Sequence, residues 1–253
     1  MNIVPVKAFR DNYIWLLVHD VYAAVVDPGD ASPVLDYLRQ YKLILLAILI
    51  THRHSDHVDG VPALLQAANV PVYAPRNEYF SFAHQPVGEG DRIAFAELGT
   101  TLQVLDVPGH TAMHVAYYGG NCLFCGDTLF GCGCGRIFDG SAGQLYASLQ
   151  KLAALPDSTR VYPAHEYTLG NIRFARMIDP ENPDLIAREQ TDQSSIAQGR
   201  PTLPSTIALE KRTNPFLRCH TAPIRLAARN SDPNAASNEE MIFAAIRELK
   251  NHY

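Results

Sequence analysis

The chain has 253 residues, 47% of them hydrophobic, which is enough for a substantial core in one large domain with or without an appendage. Its net charge of −5 and isoelectric point near 6.0 argue against a nucleic-acid or membrane partner. The sequence opens without a signal-peptide pattern, the apolar run 43–50 is too short to span a bilayer, and the five cysteines are an odd number. These features together predict a cytoplasmic protein.

Strand-like and helix-like segments alternate over the first two-thirds of the chain. Strands are predicted at 13–18, 23–27, 45–51, 71–74, 92–95, 102–107, 114–118, 122–125 and 160–163, and helices at 32–41, 58–68 and 142–155. Strands in both halves with helices between them favour two packed sheets with helices outside. The expected fold is therefore an αβ/βα sandwich of the α/β (α+β) class, with four layers.

The pattern changes after residue 165. Helices are predicted at 171–178, 182–198 and 238–251, separated by stretches rich in proline and asparagine, and no strand is predicted there. We therefore expect two domains, a catalytic domain over residues 1–165 and a small helical domain over residues 166–253.

The segment 51–57, Thr-His-Arg-His-Ser-Asp-His, carries the densest set of metal-ligand side chains. His52 and His54 are two positions apart, so an extended backbone points both imidazoles to one side. Asp56 and His57 follow where the chain turns. Imidazole and carboxylate ligands without thiolate suit Zn, Fe or Mn. The alternative interpretation of this segment is a polar cap between a strand and a helix, with no metal.

Three more potential ligands each follow the end of a predicted strand, where a loop can hold a side chain on a rigid scaffold. They are His110 after Pro108-Gly109, Asp127 after Gly126, and His165 after the strand 160–163. The ligands then divide into two sets of three around one shared carboxylate: His52, His54 and His110; Asp56, His57 and His165; and Asp127 as the bridge. The sequence therefore predicts two divalent metal ions, with Zn expected and Fe or Mn as alternatives.

Two metals roughly 3.5–4 Å apart suit a hydrolase, because water held between them becomes a hydroxide nucleophile at neutral pH. Asp56 and Asp127 are then the catalytic carboxylates in a limited sense, since they hold the metals and position the bridging hydroxide. Two neighbouring residues are left with open roles. Asp27 could orient a ligand histidine or form a turn, and His114 could support the site or bond to backbone.

These motifs together resemble the metallo-β-lactamase superfamily, and within it the glyoxalase II family of hydroxyacylglutathione hydrolases. The superfamily likeness rests on the segments that carry the seven ligands. The narrower likeness covers essentially the whole chain and rests on six segments: Asp11–Trp15, Val26–Asp30, Pro108–Thr111, Phe124–Phe130, Gly133–Arg136 and Ala164–Thr168.

The resemblance implies hydrolysis of S-D-lactoylglutathione to D-lactate and glutathione, the second step of methylglyoxal detoxification, by a metal-bridging hydroxide. It implies a substrate-binding role for the helical domain and glutathione contacts at five positions: Arg136, Phe138, Tyr167, Arg247 and Lys250. Phe138 stands where some members have tyrosine, so the hydroxyl contact of those members is absent here. Cys134 is expected to support or pack near the metals, not to act as a nucleophile.

Three rival functions remain open at the level of sequence. Another hydrolase of the same superfamily, such as a lactonase or β-lactamase, would use the same ligands. A mononuclear iron sulfur-dioxygenase would need only one metal, and a non-enzymatic metal-binding protein would be expected to lack ligands. We expect a monomer whose partner is the small-molecule glutathione thioester.

Overall fold

A computed structural model describes residues 1–232 and 238–253. The chain divides into two compact units. The first unit contains residues Met1–Asp106 and Met113–Gly126, and the second contains Val107–Ala112 and Asp127–Tyr253. The division at residue 165 stays a prediction.

The first unit contains two β-sheets and three helices. In the first sheet the order is β1-β2-β3-β4-β5-β6; the pairs among β1, β2 and β3 are antiparallel, and those from β3 to β6 are parallel. The strands β7, β8, β9 and β10 form an antiparallel meander. The elements are β1 (Asn2–Ala8), β2 (Asn12–His19), β3 (Tyr22–Val26), α1 (Ala31–Tyr41), β4 (Ile44–Leu49), α2 (Ser55–Val58), α3 (Val61–Ala67), β5 (Val72–Pro75), β6 (Gln85–Val87), β7 (Arg92–Phe95), β8 (Thr100–Asp106), β9 (Val115–Gly119) and β10 (Cys122–Gly126).

One hydrophobic cluster of the first unit lies between its first sheet and the helices α1 and α3. Residues on the other face of that sheet, such as Leu17 and Leu49, are buried as well. The central strand β4 is an apolar run because a parallel strand is covered on both faces. Helix α1 begins where the Asp30 carboxylate accepts the Ser32 N–H at 2.8 Å, and it ends at Lys42 in the left-handed conformation. The two sheets are tied by the buried Tyr117 hydroxyl on β9, which donates to the Ile50 carbonyl at 2.8 Å.

The second unit is largely helical, with two short antiparallel strand pairs, β11–β12 and β13–β14. Helix α4 begins with a capping box, in which Ser141 and Gln144 satisfy each other's backbone N–H groups. Its elements are β11 (Leu129–Phe130), β12 (Gly133–Cys134), α4 (Ala142–Ala153), β13 (Arg160–Pro163), α5 (Thr168–Ile178), α6 (Pro183–Ala197), β14 (Ser205–Thr206), α7 (Ile207–Thr213), a 3-10 turn (Pro215–Leu217), α8 (Ala222–Ser231) and α9 (Glu239–Asn251).

Most of the predicted elements are present, with the following exceptions. Strands β6, β11 and β12, of two or three residues each, were not predicted. The prediction of no strand after residue 165 is wrong, because β14 pairs with β13; two residues are too few to show alternation. Helices α7 and α8 were not predicted, and α8 buries only Ile224 and Ala228. The helix predicted at 58–68 is the shorter α3 (Val61–Ala67), and the separate helix α2 (Ser55–Val58) was not predicted. At Gly60, between the two helices, a β-carbon would lie 2.4 Å from the Pro28 carbonyl oxygen. Strand β1 was also missed, since its residues are mostly half-exposed.

Among the described residues, every helix is too short or too polar to cross a membrane.

Candidate metal centre

The loop that follows β4 carries two imidazoles whose nitrogens face each other. His52 is fully buried, and its Nε2 lies 3.1 Å from Nδ1 of His54. The other nitrogen of His52, Nδ1, lies 3.0 Å from the Thr51 hydroxyl oxygen. The prediction that the two imidazoles turn to one side is confirmed.

Helix α2 presents a carboxylate and an imidazole at a separation that suits a shared ion. Oδ2 of Asp56 lies 3.5 Å from Nε2 of His57, which is long for a hydrogen bond. Two ligand atoms each about 2.1 Å from one tetrahedral metal are about 3.4 Å apart. The pair is therefore spaced like two ligands of one metal ion.

Asp27, directly after β3, fixes the orientation of His57. Its carboxylate accepts the Thr51 N–H and hydroxyl at 2.7 Å each, and Nδ1 of His57 lies 3.0 Å from Oδ2. Because the Nδ1–H of His57 donates to a carboxylate, its Nε2 keeps the lone pair that a metal needs. Atoms of Asp27, His52 and His57 lie within 4.8 Å of one another, but three donors already occupy this carboxylate, so we assign Asp27 to orientation. Asp27 also forms the turn, because its carbonyl accepts the Gly29 N–H at 2.9 Å.

Asn12 is a supporting residue for which the sequence analysis predicted no role. Its side-chain amide, almost fully buried, donates to Oδ2 of Asp56 at 2.9 Å. The available signal was its place in the segment Asp11–Trp15, which marked the family resemblance without assigning a role.

In the second unit, Asp127 stands between two imidazoles. Its Oδ2 lies 3.5 Å from Nε2 of His110, and its Oδ1 lies 3.4 Å from Nε2 of His165. All three residues are buried, with exposures of 7%, 3% and 4%. Each carboxylate oxygen therefore faces a different histidine at ligand-to-ligand spacing, an arrangement that suits a carboxylate shared by two metal ions.

The backbone around Gly135 completes the support of these ligands. Nδ1 of His110 donates to the Arg136 carbonyl at 2.6 Å, which leaves its Nε2 unprotonated toward Asp127. A β-carbon at Gly135 would lie 2.0 Å from the Asp127 carbonyl oxygen, so only glycine permits this close approach.

Two further residues were predicted near the ligands. The His114 ring stacks on that of His52 with centroids 4.6 Å apart, and its Nδ1 lies 3.0 Å from the Val115 carbonyl oxygen. The buried Cys134 lies 3.7 Å from Nη1 of Arg247, and burial raises the pKa of the thiol. A thiol that resists ionisation is a weak nucleophile, which agrees with a packing role.

Three of the predicted substrate residues lie exposed beside His110 or His165. The Phe138 ring is 61% exposed and meets the His110 ring edge-on at 5.2 Å. The Tyr167 ring is 40% exposed and stacks parallel on His165 at 4.6 Å. The side chain of Arg136 is exposed, while its carbonyl holds His110.

The other two predicted substrate residues share helix α9 and are engaged by protein groups. Arg247 is 5% exposed and donates from Nη1 to the Cys134 carbonyl at 3.0 Å. Lys250 is half-buried, donates to Oδ1 of Asn171 at 2.6 Å and lies 4.9 Å from the centroid of Phe174. Burial lowers the pKa of Lys250 to about 8.

The donor chemistry of both sets fits a divalent metal. The seven side chains offer imidazole nitrogens and carboxylate oxygens, and Nδ1 of His57 and of His110 each has an acceptor that orients the ring. Such orientation is typical of metal-ligating histidines.

Comparison with known proteins identifies two matching family descriptions. Residues 9–165 match the metallo-beta-lactamase superfamily, and residues 166–253 match the hydroxyacylglutathione hydrolase C-terminus. A protein of Nitrosomonas eutropha named hydroxyacylglutathione hydrolase is 53% identical over 253 residues, covering 100% of this chain and 99% of the relative. A protein of Thiobacillus denitrificans with the same name is 49% identical over 257 residues, covering 100% and 99%.

Solved structures agree with the fold. The crystal structure of ETHE1 from Myxococcus xanthus superposes with a TM-score of 0.68 at 28% identity, covering 98% of this chain and 91% of that one. The structure of TTHA1623 in a di-iron-bound form gives a TM-score of 0.62 at 28% identity, covering 86% and 100%. The expected fold class, with its helical C-terminal region, is thereby confirmed. By this fold, by matches that together span residues 9–253, and by relatives about half identical over their full length, the chain belongs to the hydroxyacylglutathione hydrolase (glyoxalase II) family of the metallo-β-lactamase superfamily.

Proposed function

We propose that this chain hydrolyses 2-hydroxyacyl-glutathione thioesters, S-D-lactoylglutathione foremost, to the hydroxy acid and glutathione. This hydrolysis is the second step of methylglyoxal detoxification. The names of the relatives in Nitrosomonas eutropha and Thiobacillus denitrificans support the substrate class. The observation that carries the reaction type is Asp127, whose two carboxylate oxygens face two different imidazoles at 3.4 and 3.5 Å.

The proposed metal ligands are those predicted from the sequence, two sets of three with a shared carboxylate. Their support is the Asp56–His57 spacing in one unit and the Asp127 arrangement in the other. The sets are His52, His54 and His110; Asp56, His57 and His165; and Asp127 in both. When bound, two divalent ions, zinc in our proposal, would acidify a water from a pKa of about 15.7 toward about 7 and polarise the thioester carbonyl.

The protein side chains then have complementary roles. Asp56 and Asp127 are engaged as ligands, so neither serves as a free general base. The thiolate of glutathione is a good leaving group, so no strong general acid is required. Cys134 is buried with a raised pKa and takes no covalent part.

Substrate contacts are proposed at the exposed side chains next to the ligand histidines. Arg136 offers a positive charge to a glutathione carboxylate, and Tyr167 and Phe138 offer exposed rings. Lys250 and Arg247 lie on one face of α9 in the helical region, and we propose that they add positive charge to the same site. We also propose a domain boundary at residue 165, where the sequence pattern changes and where the two family matches meet.

The first experiment measures hydrolysis of S-D-lactoylglutathione, followed at the thioester absorbance, on protein whose metal content has been quantified. Rapid turnover with about two metals per chain, abolished in Asp127→Ala together with metal loss, is the expected result. If protein that holds two metals does not hydrolyse this thioester, the proposed substrate is wrong. Lactones and other acyl thiols would then be assayed, since a lactonase is the nearest alternative.

A single metal sufficient for full turnover would contradict the binuclear proposal and favour a mononuclear enzyme.

We also propose a cytoplasmic monomer, on the grounds of the sequence features and of five cysteines that are all buried thiols. Size-exclusion chromatography with light scattering measures the oligomeric state.

A further inference from the structure

The β11–β12 hairpin has a turn that is buried instead of exposed. Its two turn residues, Gly131 and Cys132, are both buried, and Cys132 has φ of +57°, a conformation that few non-glycine residues adopt. Buried backbone N–H and C=O groups need hydrogen-bond partners. The partners of this turn are therefore informative about what fixes it.

Glu210 on α7 provides the partner at the tip of the turn. This carboxylate is fully buried, and its Oε2 accepts the Cys132 N–H at 2.8 Å. The same oxygen accepts Nδ2 of Asn214 at 3.0 Å, and Asn214 donates in turn to the Gly133 carbonyl at 2.9 Å. One carboxylate thus holds the turn both directly and through an asparagine.

The charge of Glu210 is balanced by Arg188, which is 4% exposed. Nη2 of Arg188 lies 2.8 Å from Oε1 of Glu210, and Ser205 donates to the same oxygen. Arg188 also donates from Nε to Oδ2 of Asp192 at 3.2 Å. Asp192 therefore belongs to the charge network through its contact with the arginine.

The hairpin connects this turn to two of the proposed metal ligands. Asp127 lies two residues before β11, and the Gly135 N–H donates to the Thr128 carbonyl at 3.2 Å, which extends the pairing of the two strands. Beyond Gly135, the Arg136 carbonyl accepts Nδ1 of His110. A displacement of the turn would therefore reach Asp127 along one strand and His110 along the other.

We propose that Glu210 is a positioning residue for the metal centre, because its carboxylate fixes the Gly131-Cys132 turn from which the hairpin places Asp127 and the carbonyl that orients His110. This inference rests on the proposed assignment of Asp127 and His110 as ligands. Glu210 touches neither substrate nor metal and acts through the hairpin alone. The plain alternative is that the Glu210–Arg188 pair only stabilises the helical region.

Two substitutions at this position separate these roles. Glu210→Asp keeps the charge but withdraws the carboxylate by one methylene from the Cys132 N–H. Glu210→Gln keeps the length but has one acceptor oxygen in place of two. That oxygen is expected to face the Arg188 guanidinium, which leaves the donating amide NH2 toward the Cys132 N–H. Asp192→Asn is the matched control, because it disturbs the same arginine without touching the hairpin.

The measurement is the affinity of the metal-free protein for Zn²⁺ in competition with a chelator, together with thermal stability and amide exchange over residues 129–135 in the metal-free state. We expect Glu210→Asp to weaken Zn²⁺ binding about 10- to 100-fold and to speed exchange of the Cys132 amide. Asp192→Asn should lower thermal stability while it keeps wild-type affinity. Glu210→Gln, which lacks an acceptor for the Cys132 N–H, should lose both.

Wild-type affinity in Glu210→Asp would overturn the proposal, as would a loss of affinity in all three variants in proportion to lost stability. If Glu210→Asp does not fold, Asn171→Ala replaces it, since Asn171 holds the Gly131 carbonyl at 2.9 Å without contacting the ion pair. Unchanged Zn²⁺ affinity in that variant would likewise count against positioning of the ligands by the turn. Zn²⁺ binding is measured without substrate, so its result is distinct from a failure of the thioester assay.

Discussion

Single side chains outside the proposed ligand set decide how the ligands are presented. Asp27 satisfies three donors at once, two from Thr51 and one from His57, and thereby selects the histidine tautomer with its lone pair on Nε2. Asn12 holds Asp56 in place, because its side-chain amide donates to one oxygen of that carboxylate. These supports are as specific in their geometry as the ligands, although they would not contact a metal.

Replacement of Asp27 by alanine should lower metal affinity about 10- to 100-fold, because His57 loses the acceptor that fixes its ring. Chelator competition on the metal-free protein measures the effect. Asp36→Ala is the control, since Asp36 forms an exposed pair with Arg39 on α1 and should leave affinity unchanged. Wild-type affinity in Asp27→Ala would show that the ring is oriented without this carboxylate.

At the scale of elements, the turn after β3 and the short helix α2 have to pack closely to place Asp56 and His57, the candidate ligands on α2. The turn after β3 approaches α2 so closely that a β-carbon at Gly29 would lie 1.8 Å from the Asp56 carbonyl oxygen. No rotation of a side chain relieves a clash with backbone, so α2 itself would have to shift. Asp56 and His57 would move with it.

Gly29→Ala is therefore expected to abolish tight metal binding and to lower the melting temperature of the metal-free protein. The matched control is Gly170→Ala on α5, where the nearest atom would be 3.7 Å away in the Arg173 side chain. That change should be neutral or stabilising by about 0.5–1 kcal/mol. Differential scanning calorimetry and metal titration test both, and a Gly29→Ala protein that binds normally would contradict the packing argument.

At the scale of the whole molecule, buried ionisable groups link folding to pH. Burial lowers the pKa of Lys250 from 10.5 to about 8 and raises that of the Cys132 and Cys219 thiols from 9.0 to about 12. Between pH 8 and 10.5 the unfolded chain keeps the lysine proton that the folded chain loses, so this lysine makes stability rise with pH. The thiols act in the opposite direction above about pH 9, because they ionise only when unfolded.

Lys250→Met should remove the part of the unfolding free energy that rises with pH and leave the part that the thiols contribute. Relative to the variant, the wild-type free energy of unfolding is expected to increase by roughly 1–3 kcal/mol between pH 8 and 10.5. Urea denaturation of both metal-free proteins at several pH values measures the difference, which cancels the cysteine contribution. An identical pH dependence of the two proteins would mean that Lys250 titrates as an exposed lysine.

Much of the fold, and the candidate ligand set that we propose, could be predicted because the relevant signals are local. The strand β4 is an apolar run, and His52, His110, Asp127 and His165 each follow a strand end. Short elements such as β14 and α8 could not be predicted, since a two-residue strand and a helix with two buried residues carry almost no periodic signal.

The sequence by itself determined the chemical type of the site, because imidazole and carboxylate at these positions suit only a few metals. Only the tertiary structure decided what supports it. Asn12 meets Asp56 across 44 positions, and Glu210 meets the Cys132 N–H across 78. No spacing in the sequence links Asn12 to Asp56 or Glu210 to Cys132. Each pair forms only when the chain has folded, because burial then makes an unpaired polar group costly.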